Sequence, residues 1–281
     1  MTRRWQLAHG RQVELGGKAL IMGILNVTPD SFSDGGRFDR FDAAIVQAER
    51  MIAEGAAIVD VGGESTKPNA VAISAQEEQS RVLPVIEAIA GKHDVLLSVD
   101  TYREETARLA VRAGAHIVND VWGLQREAGI GRVAAETGAG LVIMHTGRER
   151  PKLPDVIDDQ RLFLTRSLEI ARETGVADAQ IVLDPGFGFA KDSEENLAVM
   201  ARLRELHSFG FPLAVGTSRK RFVGHVTGRD GDERDAGTAA TSAILRMMGA
   251  AIFRVHNVAI NRDALAFADA MLARQAPFEG R

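Results

Sequence analysis

The feature that most restricts the fold is an alternation of two patterns along the chain. Short apolar runs rich in β-branched residues recur: "ALIMGIL", "AIVDVGG", "VLLSVDT", "HIVNDV", "GLVIMH", "IVLDPGFG", "PLAVGTS" and "IFRVHNV". Each is followed by an amphipathic stretch with helical spacing. In "FDAAIVQAERMIAEG", Ala44, Ile45, Ala48, Met51 and Ile52 share one stripe, and Gly55 ends it. "SAQEEQSRVLPVIEAIAG" opens with Ser74 and has Glu77 three residues later, the spacing of a capping box. Strands joined through helices pair in parallel. Runs that are apolar throughout suit strands buried on both faces. Eight such units in 281 residues predict a single α/β domain over 1–281, a (β/α)8 TIM barrel. Residues 5 to 17 lie ahead of the first unit and predict an N-terminal β-hairpin closing the barrel floor. The competing fold is an open doubly wound sheet. Its dinucleotide fingerprint is missing: "GFGFAK" supplies Gly186 and Gly188, but Lys191 where the third glycine would stand.

Composition removes several classes of function. The 34 basic and 38 acidic residues are mixed along the chain and leave a net charge of −4, which gives no nucleic-acid footprint. There is no cysteine, so disulfides and thiolate metal sites are excluded. No apolar run reaches the roughly 18 residues of a membrane helix. The start, "MTRRWQLAHGRQVELGG", has no apolar core of a signal peptide. The expectation is a soluble cytoplasmic protein whose partners are small molecules, with neither nucleic acid nor membrane among them.

In such a barrel the C-terminal ends of the strands face the active site. Those ends carry Asn26, then Gly62 to Thr66, then Asp100, then Asn119 with Asp120, then Met144 with His145, then Asp184, then Thr217 to Lys220, then Arg254, His256 and Asn257. Any one Asp or Asn at a strand end is ordinarily a helix cap or turn residue, and Asp120 is assigned to that class. His145 is left open between a structural and a functional role. Asp100, Asn119 and Asp184 come from three separate strands and converge on one axis, which three caps would have no reason to do.

Two carboxylates and an amide suit a neutral ligand rich in N–H donors. A buried carboxylate accepts two parallel N–H bonds from a guanidine-like edge, such as that of a 2-amino-4-oxopyrimidine. Arg219, Lys220, Arg254 and His256 bring positive charge beside that pocket, where barrels of this kind often hold phosphate. The implied ligand is a flat heterocycle with an anionic tail. Asn26 alone is a poor Mg²⁺ ligand, although Mg²⁺ often needs only one protein oxygen besides phosphate oxygens.

Seven motifs then occur in order: "LNVTPDSFSDGG", "GGESTKP", "SVDTYR", "IVNDVWG", "DPGFGFAK", "GTSRK" and "RVHNV". Together they resemble the dihydropteroate synthases of the folate pathway, from about residue 19 to 258. The resemblance implies a transferase that condenses 6-hydroxymethyl-7,8-dihydropterin pyrophosphate with 4-aminobenzoate. It implies that Asp100, Asn119, Asp184, Lys220, Met144 and Gly216 hold the pterin, with Arg254 stacked on its face. Asn26, Arg254 and His256 would hold the pyrophosphate, with Mg²⁺ bound at Asn26. Phe32, Thr66, Lys67, Pro68, Phe189 and Ser218 would shape the aminobenzoate pocket. A homodimer through the last helices is likewise implied, and the apolar face of "AATSAILRMMGAAIF" is compatible with it. "DPGFGFAKDSEENL" has no insertion of the kind found in the sulfonamide-insensitive relatives.

An arylamine is neutral at pH 7, so the difficult step is breaking the C–O bond to pyrophosphate. The dihydropterin ring delocalises positive charge, which favours a dissociative, carbocation-like route. Cations on the departing pyrophosphate and a carboxylate near the carbocation then help. "NVTPDSFSDGG" reads as a lid in which Asp34 stabilises the cation, Phe32 excludes water, and Gly35 and Gly36 allow closure. Asp34, Asn26, Lys220, Arg254 and His256 are thus the expected catalytic residues. Two positions depart from the family pattern: Lys67 stands where arginine is usual, and Asn257 where aspartate is usual. They keep a non-catalytic pterin-binding paralogue open as an alternative. A pterin-dependent methyltransferase of the same barrel type is a second, though it should lack the long first loop and "SRK".

Overall fold

The computed structural model describes residues 3–28, 37–65 and 71–274. A hairpin comes first: β1 (Arg3–Gln6) pairs antiparallel with β2 (Gln12–Leu15). Eight parallel strands follow: β3 (Leu20–Asn26), β4 (Ile58–Gly62), β5 (Leu96–Asp100), β6 (Ile117–Asp120), β7 (Gly140–Met144), β8 (Ile181–Asp184), β9 (Ala214–Val215) and β10 (Ile252–Val255). They are ordered β8-β7-β6-β5-β4-β3-β10-β9. A parallel bridge between Leu183 and Leu213 and the bond from Leu183 N–H to Pro212 O (3.0 Å) bring β8 against the β9 side. The eight expected strands and the hairpin are all present.

The helices are α1 (Arg37–Glu54), α2 (Ala75–Ala90), α3 (Glu104–Arg112), α4 (Gly129–Thr137), α5 (Val156–Glu173), α6 (Ser193–Ala201), α7 (Arg221–Thr227), α8 (Asp235–Met247) and α9 (Val258–Leu272). Among the described residues there are nine rather than eight, because β9 is followed by both α7 and α8. Local caps set several starts. Asp155 accepts the N–H groups of Ile157 and Asp158 at α5, and Asp192 with Glu195 forms a reciprocal box at α6. At α2 the forward half of the expected box forms, Glu77 N–H to Ser74 Oγ (3.1 Å), while the Glu77 carboxylate pairs with Arg81 one turn on.

Two separate cores follow from the strand alternation. Outward residues such as Val59, Val61, Leu97 and Val99 pack with the helices. Inside the barrel one residue from each strand forms a second cluster: Met22, Ile58, Leu96, Ile117, Val142, Val182, Ala214 and Ile252. Trp5, Leu7 and Leu15 of the hairpin join that cluster and seal the floor. Gly140 at the start of β7 makes room for them, since a Cβ there would stand 2.4 Å from Leu7 and 3.0 Å from the Trp5 ring. Trp5 Nε1 donates to Gln180 O (2.7 Å), so the buried indole N–H is satisfied.

Candidate active site

Successive side chains alternate across a strand, so the residue two past each floor residue also points into the barrel, nearer the mouth. That step leads from Ile58 to Asp60, Leu96 to Ser98, Ile117 to Asn119, Val142 to Met144, Val182 to Asp184, Ala214 to Gly216 and Ile252 to Arg254. One further step from Ser98 reaches Asp100 on β5, and two steps from Met22 reach Asn26 on β3. An apolar plug thus lies under a polar layer, and one periodicity assembles the set the sequence pointed to.

Arg254 crosses this layer. Its Nε donates to Asp60 Oδ2 and its Nη2 to Asp100 Oδ2, both at 2.6 Å. Asn119 Nδ2 donates to the same Asp60 oxygen at 3.2 Å. Burial would lower the Arg254 pKa, but Asp60 and Asp100 outweigh it and raise it, so the guanidinium is charged. Burial pushes Asp100 up to about 7, against the pull of Arg254. Asp184 is pushed up to about 6 for the same reason. Its Oδ1 accepts the Gly186 N–H at 2.7 Å. Gly186 has φ +64°, and a Cβ there would meet His145 O at 1.9 Å, so only glycine permits this turn.

Met144 and Phe189 touch in a small apolar cluster with Val121. Lys220 Nζ lies 4.3 Å from the Phe189 ring centroid and Arg148 Cζ lies 4.6 Å from it. Burial, then the charge of Arg254, lowers Lys220 to about 8, leaving it mainly protonated at pH 7. Ser218 Oγ accepts the His256 backbone N–H (3.1 Å) and stands 2.9 Å from His256 Nδ1. Burial, followed by Arg254, lowers His256 to about 3. The ring is therefore neutral and offers a hydrogen bond rather than the expected charge.

Arg219 is turned away from the role of free cation. It forks onto Asp235 at 2.7 and 2.8 Å, and Asn257 Nδ2 donates to the same carboxylate at 3.0 Å. Asn257 also caps α9 by accepting the Ile260 N–H. An aspartate at this position would face Asp235 across 3 Å, which accounts for the amide. Asp120 is a turn residue as expected, accepting Trp122 and Leu124 N–H.

His145 proves structural. It is fully buried, with Nε2 3.0 Å from Asp159 Oδ2 and Nδ1 2.9 Å from Lys191 Nζ. Burial, then Lys191, lowers its pKa to about 3. Lys191 also donates to Gly186 O (2.9 Å), so it braces the turn after β8.

Asp60 and Ser98 were passed over because they lie inside apolar runs rather than at strand ends. A charged residue in the middle of "AIVDVGG" was the signal. Phe32, Asp34, Thr66, Lys67 and Pro68 lie outside the described residues. Among the described residues no three His, Asp or Glu side chains cluster in a way that could hold a metal. Asn26 is half-buried at the mouth end of β3, and its register partner is Gly62.

Comparison with known proteins agrees with this arrangement. The profile of the family described as pterin binding enzyme matches residues 22–256. Dihydropteroate synthase of Bacillus subtilis is 48% identical over 91% of this chain and 89% of its own length. A Xanthomonas albilineans dihydropteroate synthase solved with 4-aminobenzoic acid superposes with a TM-score of 0.91 at 39% identity, covering 96% of this chain and 99% of that one. A Yersinia pestis dihydropteroate synthase in complex with a sulfonamide drug gives 0.87 at 41% identity, covering 95% and 98%.

Proposed function

The chain belongs to the dihydropteroate synthase family of pterin binding enzymes, and we propose that the polar layer of its barrel mouth is where it carries out that family's reaction. The reaction joins 4-aminobenzoate to 6-hydroxymethyl-7,8-dihydropterin pyrophosphate and gives 7,8-dihydropteroate and pyrophosphate. A C–N bond forms at the exocyclic methylene, the C–O bond to pyrophosphate breaks, and the amine loses a proton.

One observation carries the reading: Asp100, Asn119, Asp184 and Arg254, from four separate strands, all lie in the barrel mouth above an apolar plug. Asp100, Asn119 and Asp184 take the pterin's amino and ring N–H groups, with Met144 and Gly216 along the ring. Arg254 lies over its face. Lys220 and Arg254 carry charge to the pyrophosphate side, and neutral His256 donates an N–H there. Charges already fixed in place where the leaving group gathers charge lower the barrier without reorganising at the moment of reaction. Phe189 forms an apolar wall for the aminobenzoate ring, with Ser218 near its carboxylate side. The roles of Phe32, Asp34, Thr66, Lys67 and Pro68 rest on their motifs.

The donor set fits Mg²⁺ only as an ion held by one amide oxygen, that of Asn26, with its other ligands from water and pyrophosphate. Mg²⁺ so held would neutralise charge on the leaving pyrophosphate.

The enzyme acts in the cytoplasm as a homodimer in this reading. Support for the dimer lies on the last two helices, which pack together and leave Ile244, Phe267 and Met271 exposed. No helix among the described residues is long and apolar enough to cross a membrane.

The test is pyrophosphate release that requires both the pterin pyrophosphate and 4-aminobenzoate. Release with either substrate alone, or with neither dependence, would overturn the assignment.

A further inference from the structure

Asp60 is a carboxylate set inside the barrel, below the mouth. It is fully buried on β4, where Ser98 of β5 is its register partner. Its Oδ2 accepts from Arg254 Nε (2.6 Å) and from Asn119 Nδ2 (3.2 Å). Among the described residues its Oδ1 has no hydrogen-bond partner, and neither has Ser98 Oγ. Asp100 sits one layer higher and is slightly open, at 8% exposure. Its Oδ2 accepts the other arm of the same guanidinium.

The two ends of Arg254 therefore differ in what happens if they are released. An incoming ligand with N–H groups replaces the arm on Asp100 in kind. Nothing entering from the mouth replaces the arm on Asp60, which would be left as a buried carboxylate with one amide donor. Asp100 is also a residue assigned above to the pterin, yet in this structure Arg254 occupies it.

We propose that Asp60 is a positioning residue for the pterin site: it keeps Nε of Arg254 while the guanidinium's other arm leaves Asp100 to the incoming pterin. Nε is the atom nearest the side-chain stem, so holding it leaves the terminal nitrogens free to swing about that point. The guanidinium then moves from a bond across the mouth to a place over the ring without losing its counter-ion. Asp60 also orients the Asn119 amide, so one buried carboxylate aligns two ligand-facing groups. This inference rests on the reading that Asp100 holds the pterin.

The experiment is a double-mutant cycle on binding of the unphosphorylated pterin alcohol, which has no anionic tail for Arg254 to grip. Kd is measured by calorimetry for the wild type, Asp60→Asn, Asp100→Asn and the double variant. Without the Asp60 charge, Arg254 turns wholly to Asp100 and competes harder with the pterin. Asp60→Asn is expected to weaken the alcohol by about tenfold in the wild-type background and by less than about threefold when position 100 is already Asn. Equal weakening in both backgrounds would mean that Asp60 acts only through general structure, and would overturn the proposal. Unchanged binding in Asp100→Asn alone would overturn the pterin reading as well, which separates the two failures. Should Asp60→Asn not fold, a crystal structure of the wild type with the alcohol decides. Nε bonded to Asp60 with Nη2 off Asp100 supports the proposal; Nη2 still on Asp100 rejects it.

Discussion

Ser218 Oγ receives the backbone N–H of His256 and lies 2.9 Å from the Nδ1 of the same residue. We assign the Ser218 hydroxyl hydrogen to Nδ1, which places the ring proton on Nε2. A serine thus selects the tautomer of a histidine that burial keeps neutral. The ¹⁵N shifts of His256 are expected to remain those of a neutral Nε2–H ring from pH 5 to 8. Ser218→Ala should weaken pyrophosphate by ~1 kcal/mol, about fivefold, read as product inhibition. Titration of His256 between pH 6 and 7 would instead make it a charged anion ligand.

Asp184 links binding to stability. Asp184→Asn retains the acceptor for Gly186 N–H but turns an amide donor toward the ligand's own N–H groups. Loss of pterin affinity on the order of 2–4 kcal/mol is expected by calorimetry. The same variant should be more stable than wild type at neutral pH. Burial raises the folded pKa to about 6, above the ordinary 3.8, so the native carboxyl contributes fully below the unfolded value and loses that contribution as pH rises through 6. That rise corresponds to about 3 kcal/mol. Asn does not titrate, so its thermal advantage over wild type should grow between pH 4 and pH 7.

Arg254→Ala removes the partner of two buried carboxylates. Destabilisation of about 3–5 kcal/mol is expected in urea unfolding at pH 7. Affinity for the pterin pyrophosphate should fall further than affinity for the pterin alcohol, since only the first has an anionic tail. Equal falls would remove Arg254 from the anion site.

Asp34 belongs to the first-loop motif, outside the described residues. Asp34→Asn keeps shape and removes charge. If the charge stabilises a pterin carbocation, kcat should fall about a hundredfold, from ~3 kcal/mol of lost stabilisation, with little change in substrate affinity. A raised KM with intact kcat would make the loop a binding lid without electrostatic work.

Trp5 tests the floor. Trp5→Ala empties a buried site against Gly140 and Leu7 and should cost about 3–5 kcal/mol in thermal unfolding. Turnover at low temperature should be unchanged, because the indole lies at the end of the barrel opposite the mouth. Lost turnover in a folded variant would contradict that separation.

The barrel was legible because eight apolar runs, each with a helix behind it, leave few other packings. Asp100, Asn119 and Asp184 were legible because polar residues at the ends of apolar strands stand out. Asp60 and Ser98 were not, since they sit mid-strand, where a reading of strand ends does not look. Counting by twos from Ile58 and Leu96 reaches both. The charge on His256 was misjudged for a different reason: sequence shows residue type, whereas protonation depends on burial and on Arg254 beside it. Arg219 looked like a free cation until folding brought Asp235 from sixteen residues away to meet it. Asn257, unusual when read alone, becomes the donor that this same Asp235 requires.

β9 has only two residues, and the barrel is joined there to β8 by a single bridge at Leu213. The cylinder therefore has a slit. Asp184 stands on one lip, and Gly216 and Lys220 follow the other. A ring held by residues from both lips spans the slit like a rivet, and its binding free energy adds to that of closure. Native-state hydrogen exchange would register this as low-energy local opening confined to the backbone amides of Leu183 and its neighbours across the gap, suppressed when a pterin is present. The least-bonded part of the wall is then where occupancy of the mouth is felt as mechanical strength.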